Sequence, residues 1–168
     1  NAPYDDVIKI KITYTAPGYS DFQWVSFKVN YSFENLTKGK LNLTVTSKGV
    51  IGFNDFPDNK AGIGLKYFSE ENVLFEGALM YGVNSTKLMD AARVETNQST
   101  DFKVINPLKV NENSESTLEE AIAEFNDDGG GNNKLGIKTK SRAYSFSVPD
   151  LEEVIILRYD LTNLSNAS

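Results

Sequence analysis

The chain has 168 residues and a net charge of −6, and it contains neither cysteine nor histidine. Disulfides, thiolate and imidazole zinc sites, and Ser-His-Asp or Cys-His nucleophiles are thereby excluded within it, along with the usual general base near neutral pH. The acidity comes without a basic stripe, which argues against nucleic acid and anionic membrane surfaces as partners.

The length fits one domain that buries roughly 70% of the surface its unfolded form exposes. No run of eighteen apolar residues predicts a membrane-spanning helix, so no membrane insertion is expected. The chain starts at Asn1 without an initiator methionine or a signal peptide, which reads as a processed protein.

The first predicted strand is Asp6 to Tyr14, with Ile8, Ile10, Ile12 and Tyr14 on one face and Lys9, Lys11 and Thr13 on the other. The TAPGYSD stretch that follows reads as a loop or linker. Residues 1–20 therefore have two readings: a strand and linker exchanged with a neighbouring subunit, or a strand folded back beside Val25 to Phe33. Gln23 to Phe33 is predicted to point Val25, Phe27, Val29, Tyr31 and Phe33 inward and Trp24 outward, and to form a hairpin with Leu41, Leu43 and Val45.

The polar loop Gly49 to Lys60 leads into the most apolar stretch, GIGLKYFSEENVLFEGALMYGVNSTKLMDAAR. Asn72 to Val83 is apolar on both faces, which predicts a strand in the middle of a sheet with a layer on each side. Glu76 breaks that layer and must find a cation or donors, and Arg93 is the expected structural ion-pair partner. Asp101 to Val110 reads as extended. Ser116 to Phe125 is the predicted helix, with Ser116 and Glu119 as a capping box and Leu118, Ala121, Ile122 and Phe125 along one side. After the NDDGGGNN turn, short strands are expected at Lys134 to Lys140 and Arg142 to Val148. A long strand at Leu151 to Asn163 carries Ile155, Leu157, Tyr159 and Leu161 inward. Eight to ten short strands joined by Gly, Asn and Pro turns predict an all-β fold, a β-sandwich or jelly-roll-like single domain over residues 1–168 with one short helix.

Seven positions match Asn-x-Ser/Thr: Asn30, Asn35, Asn42, Asn84, Asn97, Asn163 and Asn166. Composition alone predicts about two or three, so they stand as glycosylation candidates. Asn126, Asp127, Asp128 and Asn132 around three glycines are oxygen donors suited to calcium, and Asp55, Asp58 and Asn59 form a weaker set. The same residue types ordinarily make up flexible loops. Trp24 with Tyr19 and Phe22 could stack against a sugar, although aromatics in such strands more often serve a core or a subunit contact.

From about Leu41 to Asn163 the order of motifs resembles a β-sandwich accessory module of secreted multidomain bacterial proteins, often found beside subtilisin-like protease domains. The matching pieces are LNLTVTSKGVIGF, the glycine-rich block with Glu76, Asp90 and Arg93, the NDD turn, LGIKTKSRAYSFS and VIILRYDLTNLSN. The resemblance implies an accessory or structural role without catalytic residues. In that family the last segment opens a second half of the sandwich. Its truncation here predicts an unpaired sheet edge that another chain completes.

The leading expectation is thus a non-catalytic extracellular assembly protein whose partners are its own copies or neighbouring domains, joined head to tail by strand complementation through Ile8, Ile10, Ile12 and Tyr14. A glycan-binding accessory module is the alternative. A carboxylate-based glycosidase comes third, because no acidic pair in the sequence points to a cleft.

Overall fold

A computed structural model of the chain describes residues 4–94, 97–111 and 117–165, the side chains of residues 93 and 94 excepted. In chain order the strands are β1 (Asp6–Ala16), β2 (Tyr19–Val29), β3 (Phe33–Leu36), β4 (Leu41–Thr46), β5 (Val50–Ile51), β6 (Leu65–Tyr67), β7 (Gly77–Ala78) and β8 (Met80–Asn84). They continue with β9 (Lys87–Asp90), β10 (Arg93–Val94), β11 (Asn97–Gln98), β12 (Lys103–Asn111), β13 (Leu118–Asn126), β14 (Ile137–Phe146) and β15 (Ile155–Asn163). A short 3-10 helix, Asp128–Asn133, is the only helix among the described residues. The predicted all-β, sandwich-like class holds.

Two antiparallel sheets carry the body. One runs β12-β13-β14-β15, and the other runs β3-β4-β5-β7 with β6 added to β4. Leu36, Leu43 and Val45 from the second sheet close on Leu108, Ala121, Ala123 and Ala143 from the first, all buried. Alanine dominates one side of this interface, so the sheets approach closely and the larger side chains of β3 and β4 fill the space between them. A second cluster, Val50, Met89, Ala91, Phe102 and Phe125, holds the β8–β9 hairpin to the body. Within it Tyr81, Phe102 and Phe125 stack in series, with centroid separations of 5.2 and 5.1 Å.

The region expected to be a helix, Ser116 to Phe125, is strand β13; Ser116 itself lies outside the described residues. Its burial alternates with period two, Glu119, Ala121, Ala123 and Phe125 inward, and it is paired on both sides by β12 and β14. Helix-favouring Leu, Glu and Ala are overridden by two ladders of partner strands. The inward Glu119 hid the alternation. Its Oε2 accepts the backbone N–H groups of Thr37 and Lys38 at 2.9 and 3.1 Å, tying β13 to the end of β3.

The central strand expected over Asn72 to Val83 is also absent. Strand pairing there is confined to the short β7 and to β8, and Val73, Phe75 and Val83 are about 70% exposed. Asn72 folds the segment on itself: its Oδ1 accepts from the N–H of Leu65 and of Leu74, and its Nδ2 donates to the Leu74 carbonyl. Local side-chain bonding of this kind competes with a sheet ladder. The two strands expected between Lys134 and Val148 are one, β14, and Leu161 is exposed where an inward position was expected.

Candidate assembly interface

Tyr19–Val29 does not join the sandwich. β1 and β2 form a two-stranded sheet by themselves, in unbroken antiparallel register from Asp6 opposite Val29 to Ala16 opposite Tyr19. Pro17-Gly18 makes the turn, with Gly18 at φ 77°, a value that the second corner of such a turn requires. Eleven residues at about 3.4 Å each make an arm roughly 35 Å long. Every residue from Asp6 to Phe27 is exposed. The hairpin expected between Gln23–Phe33 and Leu41–Val45 survives only as β3 on β4, because Asn30, at φ 53°, ends β2 and turns the chain into the body.

Directly opposed residues share a face of the ribbon. Ile8 faces Phe27, Ile10 faces Val25, Ile12 faces Gln23 and Tyr14 faces Asp21. One side of the arm is therefore apolar along most of its length, and Tyr14 donates to Gln23 at 3.0 Å near the tip. Lys9, Lys11, Phe22, Trp24 and Lys28 occupy the other side. The expected sugar platform is split, since Tyr19 sits on the apolar side and Phe22 and Trp24 on the lysine side. Phe22 is already covered by the Lys11 ammonium, 4.1 Å from its centroid.

The root of the arm is fixed. The Asp5 amide donates to the Asn30 carbonyl at 3.1 Å, and the Asp5 carboxylate accepts from the N–H and hydroxyl of Ser32. Lys28 lies 3.3 Å from Asp5 and over the Tyr31 ring. Between the arm and β12, Tyr4, Ile8 and Val29 face Val104, Ile105 and Pro107 across a cleft of about 590 Å³.

The two outer edges of the β12–β15 sheet differ. β12 carries Pro107 and two register irregularities, and its flank is met by Tyr31, which bridges to Leu108. Bulges and proline are the ordinary means of blunting an edge. β15 pairs with β14 over nine consecutive residues without a bulge or proline, and among the described residues no strand lies on its other side. Its Ile155 and Leu157 pack on the sandwich core, while Ile156 and Leu161, and Leu164 just beyond the strand, are exposed. Tyr159 and Leu157 line a groove between the two sheets together with Val45, Ile51 and Ala143, and burial there raises the Tyr159 hydroxyl pKa.

Of the other candidates, Glu76 is half-buried and close enough to Asp90 for its charge to act there, but the expected pair with Arg93 lies outside the described residues. Burial first, then the Asp101 charge, pushes the Asp90 carboxyl above its usual range. In the NDDGGGNN loop, Asp127 is buried and accepts from the N–H groups of Leu135 and Ile137 at 2.6 and 3.0 Å. Asp128 is bound by Lys134 at 2.8 Å and by the Asn126 amide, and these contacts hold its carboxyl below the usual range. Asn132 is exposed. Asp55 closes its own loop by accepting from Lys60 and Ala61. No group of three or more acidic side chains suited to a metal occurs among the described residues.

The sequence announced the arm's amphipathic β1, but nothing in it distinguished a β2 that joins the body from one that leaves it. Compared with protein-family models, curated proteins and solved structures, the chain matches none.

Proposed function

We propose that the chain is a non-catalytic, extracellular structural subunit that associates through its arm, the β1 edge of one copy extending the β12–β15 sheet of the next alongside β15. The observation that carries this reading is the apolar face of the arm, with Ile8, Ile10, Ile12, Val25 and Phe27 all exposed. An isolated two-stranded hairpin is marginal in water, and an arm of this length and composition needs a covering surface. Full burial of such side chains contributes about 1.5–3 kcal/mol each; half of that remains to be gained here, on the order of 4–7 kcal/mol for five before association costs.

The open edge of β15 suits the arm in length and period. A strand added there would carry Ile8, Ile10 and Ile12 onto the side of the sheet where Ile155 and Leu157 already pack, closing the groove beside Tyr159. Donor and acceptor surfaces differ, so the contact is head to tail and repeats into a filament or a ring. A module in a longer secreted polypeptide would use the same two surfaces on neighbouring domains, in keeping with the accessory-module resemblance. Glycan binding is the second reading, supported by exposed Trp24 and Phe22 on the lysine side of the arm.

Light scattering across a concentration series tests the association. The double variant Ile10→Glu, Ile12→Glu touches neither core cluster of the body, so the melting of the body should be nearly unchanged while assembly is lost. A parent chain that stays monomeric at every concentration ends the proposal. Disulfide capture between a Lys9→Cys chain and chains carrying Ile156→Cys, Arg158→Cys or Asp160→Cys then locates the acceptor. Assembly without any of these cross-links would move the acceptor off β15 and leave the role of the arm standing.

A further inference from the structure

We infer that Asn84 and Asn163 are the positions at which this protein carries N-linked sugar, among the six Asn-x-Ser/Thr sites of the described residues. The reaction requires an asparagine amide nitrogen open to solvent and a hydroxyl two residues on. The nitrogen attacks the anomeric carbon of a sugar activated as a lipid-linked diphosphate. The bond from that carbon to the diphosphate oxygen breaks, the lipid diphosphate leaves with the electron pair, and the proton lost from nitrogen passes to a base of the transferring enzyme.

Asn84, the last residue of β8 before the turn to β9, is exposed; its Oδ1 accepts the Thr86 hydroxyl at 2.8 Å and the Thr86 N–H at 3.0 Å. Asn163, at the end of β15, is exposed and accepts the Ser165 hydroxyl at 2.7 Å and the Ser165 N–H at 2.8 Å. The same arrangement thus occurs at two unrelated places. In both, the hydroxyl is engaged on the amide oxygen and no hydrogen bond from Nδ2 is made among the described residues.

The other sites lack this presentation. The Asn42 Nδ2 donates to the Phe68 carbonyl at 2.7 Å, and the hydroxyl two residues on belongs to fully buried Thr44. Asn35 is half-buried, its Oδ1 taken by that same Thr44 hydroxyl at 2.6 Å. The Asn30 site uses Ser32, whose hydroxyl is bound to Asp5, and the Asn97 site uses Ser99, which is buried and accepts from the Asp101 N–H. From Asp6 to Val29 the sequence holds no asparagine at all, so the arm offers no acceptor.

Residue-level mass spectrometry of glycopeptides from protein made in its native source tests the assignment. Sugar is expected on Asn84 and Asn163, with Asn35 and Asn42 bare. In the native host Thr86→Ala should abolish modification at Asn84, and Thr86→Ser should restore it. Unmodified Asn84 and Asn163 overturn the inference, and so does sugar on Asn35 or Asn42.

Discussion

Asp5 locks the root of the arm onto Ser32, accepting its N–H at 3.2 Å and its hydroxyl from a backbone held at φ 57°. Burial opposes the charge on Asp5, yet the Ser32 hydroxyl and amide and the Lys28 ammonium together hold its carboxyl below the usual range. A depressed carboxyl stabilises the fold fully above its unfolded value and loses that contribution as pH falls through its folded one. The root should therefore stay closed above pH 3.8 and loosen as the solution is acidified below it. Hydrogen exchange at the amides of Asp5 and Ser32 across this range checks the expectation. Asp5→Asn should remove the pH dependence.

Glu119 gives a second test. Two backbone donors meet one oxygen, Oε2, so Glu119→Gln can keep both bonds with its carbonyl oxygen, whereas Glu119→Ala takes the acceptor away from both part-buried hydrogen bonds. The alanine variant should lose about 1–3 kcal/mol in urea unfolding and the glutamine variant clearly less. Equal losses would mean that charge, and not the acceptor, holds the β3 turn to β13.

Asp90 runs the other way from Asp5. Its carboxyl is raised by burial and by Asp101, so its ionisation works against the folded state above the unfolded value. Asp90→Asn should raise the melting temperature at pH 7, and the gain should shrink to nothing below pH 3.8. A melting curve for each chain at several pH values decides it.

Trp24 is the only tryptophan, and it sits on the lysine side of the arm. Assembly through the β1 edge leaves that side in water, so acrylamide quenching of Trp24 should change little on assembly. Oligosaccharides stacking on Phe22 and Trp24 should protect it. Strong protection on assembly alone would mean that both sides of the arm are covered.

The alternation of Ile8, Ile10 and Ile12, that of Leu41, Leu43 and Val45 in β4, and the inward set Ile155, Leu157 and Tyr159 were legible in the sequence, because a half-covered strand writes its period directly into its residues. β13 was not, because Glu119 occupies an inward position through hydrogen bonds to distant Thr37 and Lys38. Asn72 likewise breaks an apolar run through bonds to Leu65 and Leu74 that pattern alone does not reveal. The free-standing arm was half legible. Its apolar face shows in β1, but the departure of β2 from the body turns on one backbone angle at Asn30.

A clamped root makes the arm a strut and not a tether. In any head-to-tail series the angle between strut and body repeats at every joint, so Asp5, Lys28 and Ser32 would set the curvature of the whole object from well outside its joints. A small rotation there, too slight to alter any single contact between copies, would be multiplied along the series into a different pitch or radius.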